Sequence, residues 1–506
     1  MAASVETDRL TELRDRIAEI VDLSQVAGVI GWDQETMMPP KGAPSRGTQQ
    51  AALQGIIHER FTQPRVGDLL AELERPERLA QLAPVDQAVV RVVRRDYDRA
   101  TKLPGSLVRE LALATTQGVE TWRHAREQSR WELFAPDLER IVNLKRQQAS
   151  FLGPAATPYD ALLDEYEPGA TTAQLVPLFS ALRHETVSLL AKIDRSGRSL
   201  DRSVFQQGYP PAAQLAFGEL ILRQMGFDFG AGRQDVSTHP FTAGFGPGDV
   251  RVTTRVDEND LAVALYASMH EGGHALYDQG IPGELARTGV GEGGSLGIHE
   301  SQSRLWENCL GRGLPFWQYA LPRLQESFPS QTRTATPEMM VAAANRVERS
   351  LIRVEADEVT YNLHIILRFE IERRLIGGEV GVSELPALWN QLSQEYLGIT
   401  PPHDRLGVLQ DTHWAAGLIG YFPTYSLGNI YAAQFWAALR RDIPDLDDHI
   451  RRGELSVALD WLRDRIHRRG RIYLPHELIR RATGEEPNPD YLTRYLNDKY
   501  GALYGF

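Results

Sequence analysis

Apolar residues recur at intervals of three and four along most of this 506-residue chain. Leu10, Leu13, Ile17, Ile20 and Val21 show the spacing near the start, and Leu351, Val354, Val359, Leu363, Ile366 and Leu367 show it again past residue 350. Residues so spaced line one stripe of an α-helix, whereas a half-buried strand alternates with period two. The fold is therefore expected to be mainly α, a large helical body with a small sheet. The best strand is "DVRVTTRV" (249–256), which follows the Gly-rich turn "AGFGPG". No fixed-period self-similarity points to a solenoid. Nor does a Gly/Ser or Pro-rich linker divide the chain, so residues 1–506 are read as one large unit with room for two lobes.

Charge excludes some partners. With 55 basic and 67 acidic side chains the net charge is -12, which argues against nucleic acid and anionic membrane surfaces as partners. The one cysteine, Cys309, rules out an intrachain disulfide, and its setting in "WENCLG" reads as the buried side of a helix. The opening residues form an amphipathic pattern without a signal core, and no apolar run approaches the length that spans a bilayer. A cytoplasmic protein is expected.

The chemistry centres on "SMHEGGHALYDQ" (268–279), within a helix expected to begin at the capping residues "DEND" (257–260) and to end at Gly280. His270 and His274, four residues apart, lie about one turn above each other, with Glu271 turned roughly 100° away. Two imidazoles at this spacing can hold one Zn²⁺, and the glutamate between them can serve as general base toward a water, the arrangement of a metal-dependent peptide hydrolase. A third ligand is required downstream. Glu292 lies in the flexible loop "GVGEGGSLG", whereas Glu300 lies in "GIHESQSRLWENCL", which reads as a packed helix, so Glu300 is preferred. His299 is expected to face away as a supporting or groove residue. The adjacent Gly272 and Gly273 together cost roughly 2 kcal/mol of helix stability. They are expected to make room for a substrate or for a neighbouring strand or helix.

Together with this helix, "HPF" (239–241), "DVRVT" (249–253), "HESQSRLWEN" (299–308), "IRVEAD" (352–357) and "GVLQDTHW" (407–414) resemble the hallmarks of the carboxypeptidase Taq family of metallocarboxypeptidases. The segments "WDQETMMPPKGAPSRGTQ" and "HELIRRATG" extend the resemblance over nearly the whole chain. It implies a helical fold with a deep groove, similar to neurolysin and angiotensin-converting enzyme, and a homodimer. It also implies zinc or cobalt on His270, His274 and Glu300, with Glu271 as general base. The implied activity is release of single amino acids from peptides with a free C-terminal carboxylate, with broad side-chain preference and poor acceptance of proline.

The remaining motifs can be read physically. A guanidinium fork matches a terminal carboxylate, which makes Arg353 the candidate anchor; an intrahelical pair with Asp357 competes with or supports that role. His413, Tyr425 and Tyr421 are the donors available near the groove, the first two assigned to the developing oxyanion. Arg251 alternates with Asp249 and Thr253 along the strand and either binds substrate or cross-links sheet to helix. Trp306, Asn308 and Trp414 are expected to pack around the site. Two rival functions are a zinc oligopeptidase that cuts internally and a non-catalytic zinc or peptide-binding protein.

Overall fold

The structure, a computed structural model, describes residues 2–153 and 156–506. It is mainly helical with one small sheet, as the apolar spacing requires. A hairpin of the long α1 (Ala2–Thr36) and α2 (Ala43–Phe61) precedes the helical body. The helices that build the site are α3 (Pro158–Tyr166), α4 (Pro211–Met225), α5 (Leu261–Gln279), α6 (Leu296–Arg304), α7 (Tyr361–Gly377) and α8 (Pro423–Asp442). The C-terminal α9 (Asp490–Tyr504) packs beside α8.

The sheet holds β1 (Gly232–Val236), β2 (Thr242–Gly244) and β3 (Val250–Thr254) in the order β1-β3-β2. β3 is central, parallel to β1 and antiparallel to β2, with Thr242 opposite Val252. It is the strand read from the alternation, and Val250, Val252, Thr253 and Thr254 are buried on it. Its neighbours were not legible, since "GRQDV" and "TAG" carry too few apolar side chains to alternate.

The main core is continuous from α3 through α9 and includes the fully buried Trp306, Trp317 and Phe179. Cys309 is buried in it, and burial pushes its thiol far above the usual range. A second cluster ties Leu13 and Ile17 of α1 to Leu69, Val89 and Val290. Among the described residues no helix is long and apolar enough to cross a membrane.

One helical expectation is corrected. The apolar spacing from Leu351 onward predicts a continuous helix, but Arg353–Glu355 is only a single 3₁₀ turn and α7 begins at Tyr361. Val354 is 72% exposed. The cause is Asp357, whose Oδ1 accepts from the amides of Val359 and Thr360 (2.9 and 3.0 Å) and whose Oδ2 accepts from the Thr360 hydroxyl and the Glu348 amide. A carboxylate that gathers the first amides starts a helix rather than continuing one.

Candidate active site

The sequence begins α5 where expected: the Asp260 side chain accepts from the Ala262 amide at 3.0 Å, and the helix stops before Gly280. Its two histidines face Glu300 on α6. Oε2 of Glu300 lies 3.7 Å from Nε2 of His270 and 3.6 Å from Nε2 of His274. Bonds of about 2.1 Å to a tetrahedral metal place ligand atoms about 3.4 Å apart, so this set fits such an ion. His270, His274 and Glu300 form the one such metal-compatible group found among the described residues. Glu292 is excluded: its side chain is 73% exposed and its partner is Arg471.

Hydrogen bonding fixes which nitrogens face inward. Nδ1 of His270 donates to Oε2 of Glu307 (2.9 Å), leaving its Nε2 lone pair toward Glu300. For His274 the support is a relay. Nε2 of His299 donates to Asp278 (3.0 Å), so Nδ1 of His299 accepts from Nδ1 of His274 (2.7 Å) and Nε2 of His274 is likewise free. Supports of this kind set the orientation and basicity of metal-ligating imidazoles. Glu307 sits on a π-helical turn, Leu305–Leu310, that extends α6. Arg304 donates to Glu300 (2.7 Å) and to Glu307 (3.3 Å), while Arg312 donates to Glu307 (2.8 Å). Burial opposes charge on Glu300, but Arg304 and the imidazoles outweigh it and hold the carboxyl well below the usual range.

The paired glycines serve the framework. A Cβ on Gly273 would lie 2.6 Å from Cα of Ser303 and 2.7 Å from the Gln302 carbonyl, so α5 and α6 touch backbone to backbone there. On Gly272 it would lie 2.4 Å from the tip of Leu222 on α4. Of the two roles expected for the pair, room for a neighbouring helix is the one found. The Thr242 hydroxyl on β2 lies 2.7 Å from Oε2 of Glu271 and ties that carboxylate to the sheet.

A second charged group adjoins the first through Tyr361. The Arg304 guanidinium lies over the Tyr361 ring at 4.6 Å, and Nη1 of Arg353 donates to the Tyr361 hydroxyl at 3.2 Å. The expected Arg353–Asp357 pair does not form, because Asp357 caps α7; Arg353 instead gives Nε and Nη2 to Oδ1 of Asp411 (3.1 and 2.9 Å). The other oxygen of Asp411 takes Nε (2.7 Å) and Nη2 of the fully buried Arg368. Asp411 is largely withdrawn from solvent, which opposes its charge, but the two guanidiniums hold it ionised far below its usual range.

His413 follows on the same loop, stacked on Phe422 at 4.5 Å, with Nε2 3.5 Å from the Tyr425 hydroxyl and Nδ1 buried without a partner. Burial pushes its pKa down to about 4, with Asp411 opposing and Arg353 and Arg368 assisting, so the ring is neutral near pH 7. Tyr425 packs at 5.4 Å from Tyr421 and 6.2 Å from Tyr361. Burial raises the phenols of all three, and the charge of Glu300 adds to this, so they remain protonated donors.

Arg251 stands apart from these groups, giving Nε and Nη2 to Asp249 (2.8 Å each) and stacking on Trp32 of α1 at 4.4 Å. It cross-links the sheet to α1. Thr253 hydrogen-bonds Ser237 and the Phe241 backbone inside the sheet. Trp306 is core, the Asn308 carbonyl accepts from Tyr495 (3.1 Å), and Trp414 donates to Glu372 (2.9 Å). Arg368, Glu372, Glu307 and Asp411 were not singled out from the sequence. At i and i+4, Arg368 and Glu372 look like an ordinary intrahelical pair, and nothing in "QDTHW" marks Asp411 as the partner of an arginine 58 residues away.

Comparison with known proteins agrees with this geometry. A model of the family described as carboxypeptidase Taq (M32) metallopeptidase matches residues 12–500. Thermostable carboxypeptidase 1 of Thermus thermophilus is 44% identical over 497 residues, covering 96% of this chain and 97% of that protein. The crystal structure of the M32 carboxypeptidase from Deinococcus radiodurans superposes with a TM-score of 0.95 at 39% identity, covering 99% of this chain and 100% of that one. Trypanosoma cruzi metallocarboxypeptidase 1 superposes with a TM-score of 0.94 at 34% identity, covering 97% and 99%. The chain belongs to the carboxypeptidase Taq (M32) family of metallopeptidases and is a metallocarboxypeptidase, a hydrolase of peptides.

Proposed function

We propose that this enzyme removes single residues of broad side-chain type from peptides with a free C-terminal carboxylate, using Zn²⁺, with Co²⁺ as an alternative, on His270, His274 and Glu300. When bound, such an ion acidifies water and polarises the scissile carbonyl. Glu271, oriented by Thr242, takes the proton of the attacking water and returns it to the leaving amine. Neutral His413 and the protonated Tyr425 donate to the carbonyl oxygen as it gains charge. Arg353 receives the terminal carboxylate, with Tyr421 and Tyr361 lining the approach, while Arg251 braces the sheet that forms the wall.

The observation that carries this reading is the charge balance at Asp411. Two buried guanidiniums share Asp411, so they have one carboxylate between them within ion-pair distance. Desolvated charge is costly unless paired, and a substrate carboxylate supplies a second partner. The family resemblance extends the reading to a deep groove of the neurolysin and angiotensin-converting-enzyme kind, one catalytic unit per chain, and a cytoplasmic homodimer that sedimentation velocity would reveal.

The test is mass spectrometry of an N-terminally blocked, unstructured peptide in free-acid and C-terminally amidated forms, with the metal-loaded enzyme and with Arg353→Ala. Stepwise shortening of the free acid alone, lost in Arg353→Ala, is expected. Internal cleavage of both forms, indifferent to Arg353, would instead make the enzyme an oligopeptidase.

A further inference from the structure

We propose that Glu372 is a positioning residue for the reaction: it pegs the 411–420 loop to α7 and thereby sets where His413 presents its hydrogen-bond donor. This rests on the reading that His413 donates to the reacting carbonyl. Tyr361, Arg368 and Glu372 stand seven and then four residues apart on α7, close to two turns and one more turn, so they form one stripe along the helix. The loop is tied to that stripe at both ends. Arg368 holds Asp411 at its start; Oε1 of Glu372 accepts from Nε1 of Trp414 (2.9 Å), and Oε2 accepts from the Gly420 amide (3.0 Å) at its end.

His413 lies between these pegs and is joined to Trp414 by one peptide bond. Its ring makes few bonds of its own: Nδ1 has no hydrogen-bond partner, only Asp411 at 3.9 Å, and the contact of Nε2 with Tyr425 is at the 3.5 Å limit. Its position is therefore inherited from its neighbours. The Tyr159 hydroxyl of α3 donates to the same Oε2 of Glu372 at 2.7 Å, fixing the carboxylate from the far side. Gly420 explains why the loop returns so closely. Its φ is +92°, and a Cβ there would lie 2.8 Å from the Leu162 carbonyl carbon of α3. Glu372 has no exposed surface, and burial pushes its carboxyl up to about 7 despite the three donors and nearby Arg368. A leucine or a methionine would pack there without that cost, so the carboxylate is spent on holding the loop.

Glu372→Gln tests the idea because it keeps the shape and removes one acceptor. With its oxygen toward Tyr159 and Gly420, the new amide nitrogen faces the Trp414 N–H; turned over, it faces the Gly420 N–H. Either way one donor meets another. A displacement of about 1 Å at the donor is expected to lower kcat about 10- to 100-fold with KM nearly unchanged, because Arg353 and Asp411 remain held by Arg368. Metal content should equal that of the wild type. In a His413→Ala background the same substitution should cost less than about twofold further, since its effect passes through His413.

A Glu372→Gln kcat within about twofold of wild type, or losses that multiply fully in the double variant, would overturn the proposal. An unchanged kcat in His413→Ala alone would overturn it by a different route, removing the donor on which the proposed mechanism depends. Should Glu372→Gln not fold, Trp414→Phe, which deletes one donor and leaves the carboxylate its other two, is read in the same cycle: a kcat loss that vanishes with His413→Ala supports the proposal, and a fully multiplicative one refutes it.

Discussion

Replacing Gly273 with alanine should weaken metal binding far more than it weakens the fold. The added Cβ would sit 2.6 Å from Cα of Ser303. Comfortable carbon contacts begin near 3.5 Å, so α5 and α6 must separate by about 0.9 Å at their crossing. The obstacle is backbone on both sides and cannot rotate away. Helix propensity returns about 1 kcal/mol on exchanging glycine for alanine, and overpacking costs about 1–3 kcal/mol, so the net loss of stability is about 0–2 kcal/mol. The metal geometry has no such compensation. Glu300 rides on α6 and both histidines on α5, and a 0.9 Å separation is several times the roughly 0.2 Å tolerance of a ligand bond. Metal affinity is expected to fall at least about 100-fold, as far as a lost supporting interaction or further. Gly272→Ala is the matched control: its Cβ meets the ends of Leu222 and Met225, side chains that can move, so metal affinity should change little. The assay is chelator competition for Zn²⁺ beside thermal unfolding of the metal-free proteins. Gly273→Ala binding within about threefold of wild type, or an equal loss in Gly272→Ala, would refute the argument that the glycine sets the ligand spacing.

Further outcomes follow from the same geometry. Glu271→Gln should keep its metal and its bond to Thr242 while turnover falls about 10²–10⁴-fold, and retention of a tenth of the wild-type kcat would remove Glu271 as general base. His299→Phe leaves Nδ1 of His274 without its acceptor and should weaken metal binding about 10–100-fold by chelator competition, whereas unchanged affinity would show the relay to be incidental. Burial, assisted by the two arginines and opposed by Asp411, depresses the His413 pKa to about 4; the ring is mostly protonated only below that value and neutral above about pH 5. His413 should therefore contribute no ionisation to kcat/KM between pH 5 and 7, so His413→Gln should lower the rate without changing the shape of the profile there, and a changed shape would show that His413 titrates in that range.

How much of this was legible depended on the range of each interaction. The helical body, the central strand and the boundaries of α5 follow from local signals: apolar period, alternation and a capping aspartate. The His270–His274–Glu300 group was legible because two members are spaced by one helical turn and the third lies on a visibly packed helix. The paired glycines were legible as an anomaly, but their partner was not, since the Ser303 backbone has no sequence signature. The helix expected from Leu351 failed because three- and four-residue spacing arose by chance in a loop that Asp357 terminates. Asp357 and Asp411 exchange the roles that proximity along the chain suggests, and Arg368 and Glu372 turn from each other toward one loop. Long-range partners of buried charges are chosen by the fold, so Arg353 could be put forward from the sequence but its partner Asp411 could not.

The two charged groups also differ in a way that bears on how cleavage is measured out along a peptide. Around Glu300 the carboxylates outnumber the arginines: Glu300 and Glu307 face Arg304 and Arg312, and Glu271 adds a further negative charge beside the histidines. A bound dication would offset that surplus and set positive charge beside the reacting carbonyl, where negative charge develops. Around Asp411 two arginines share one carboxylate within ion-pair distance, and in the proposed function the substrate's terminal carboxylate meets that surplus. Tyr361 touches both groups, Arg304 against its ring and Arg353 at its hydroxyl, so the surplus stands one aromatic side chain away from the metal ligands. Arg368 is buried and locked to Asp411, which leaves the anchor little freedom to slide. Under the proposed function, an anchor at Arg353 held at a fixed distance from the metal ligands would select the same bond, counted from the chain end. An amidated end would leave the guanidinium charge desolvated and unpaired, a penalty of several kcal/mol that an internal cut would have to overcome.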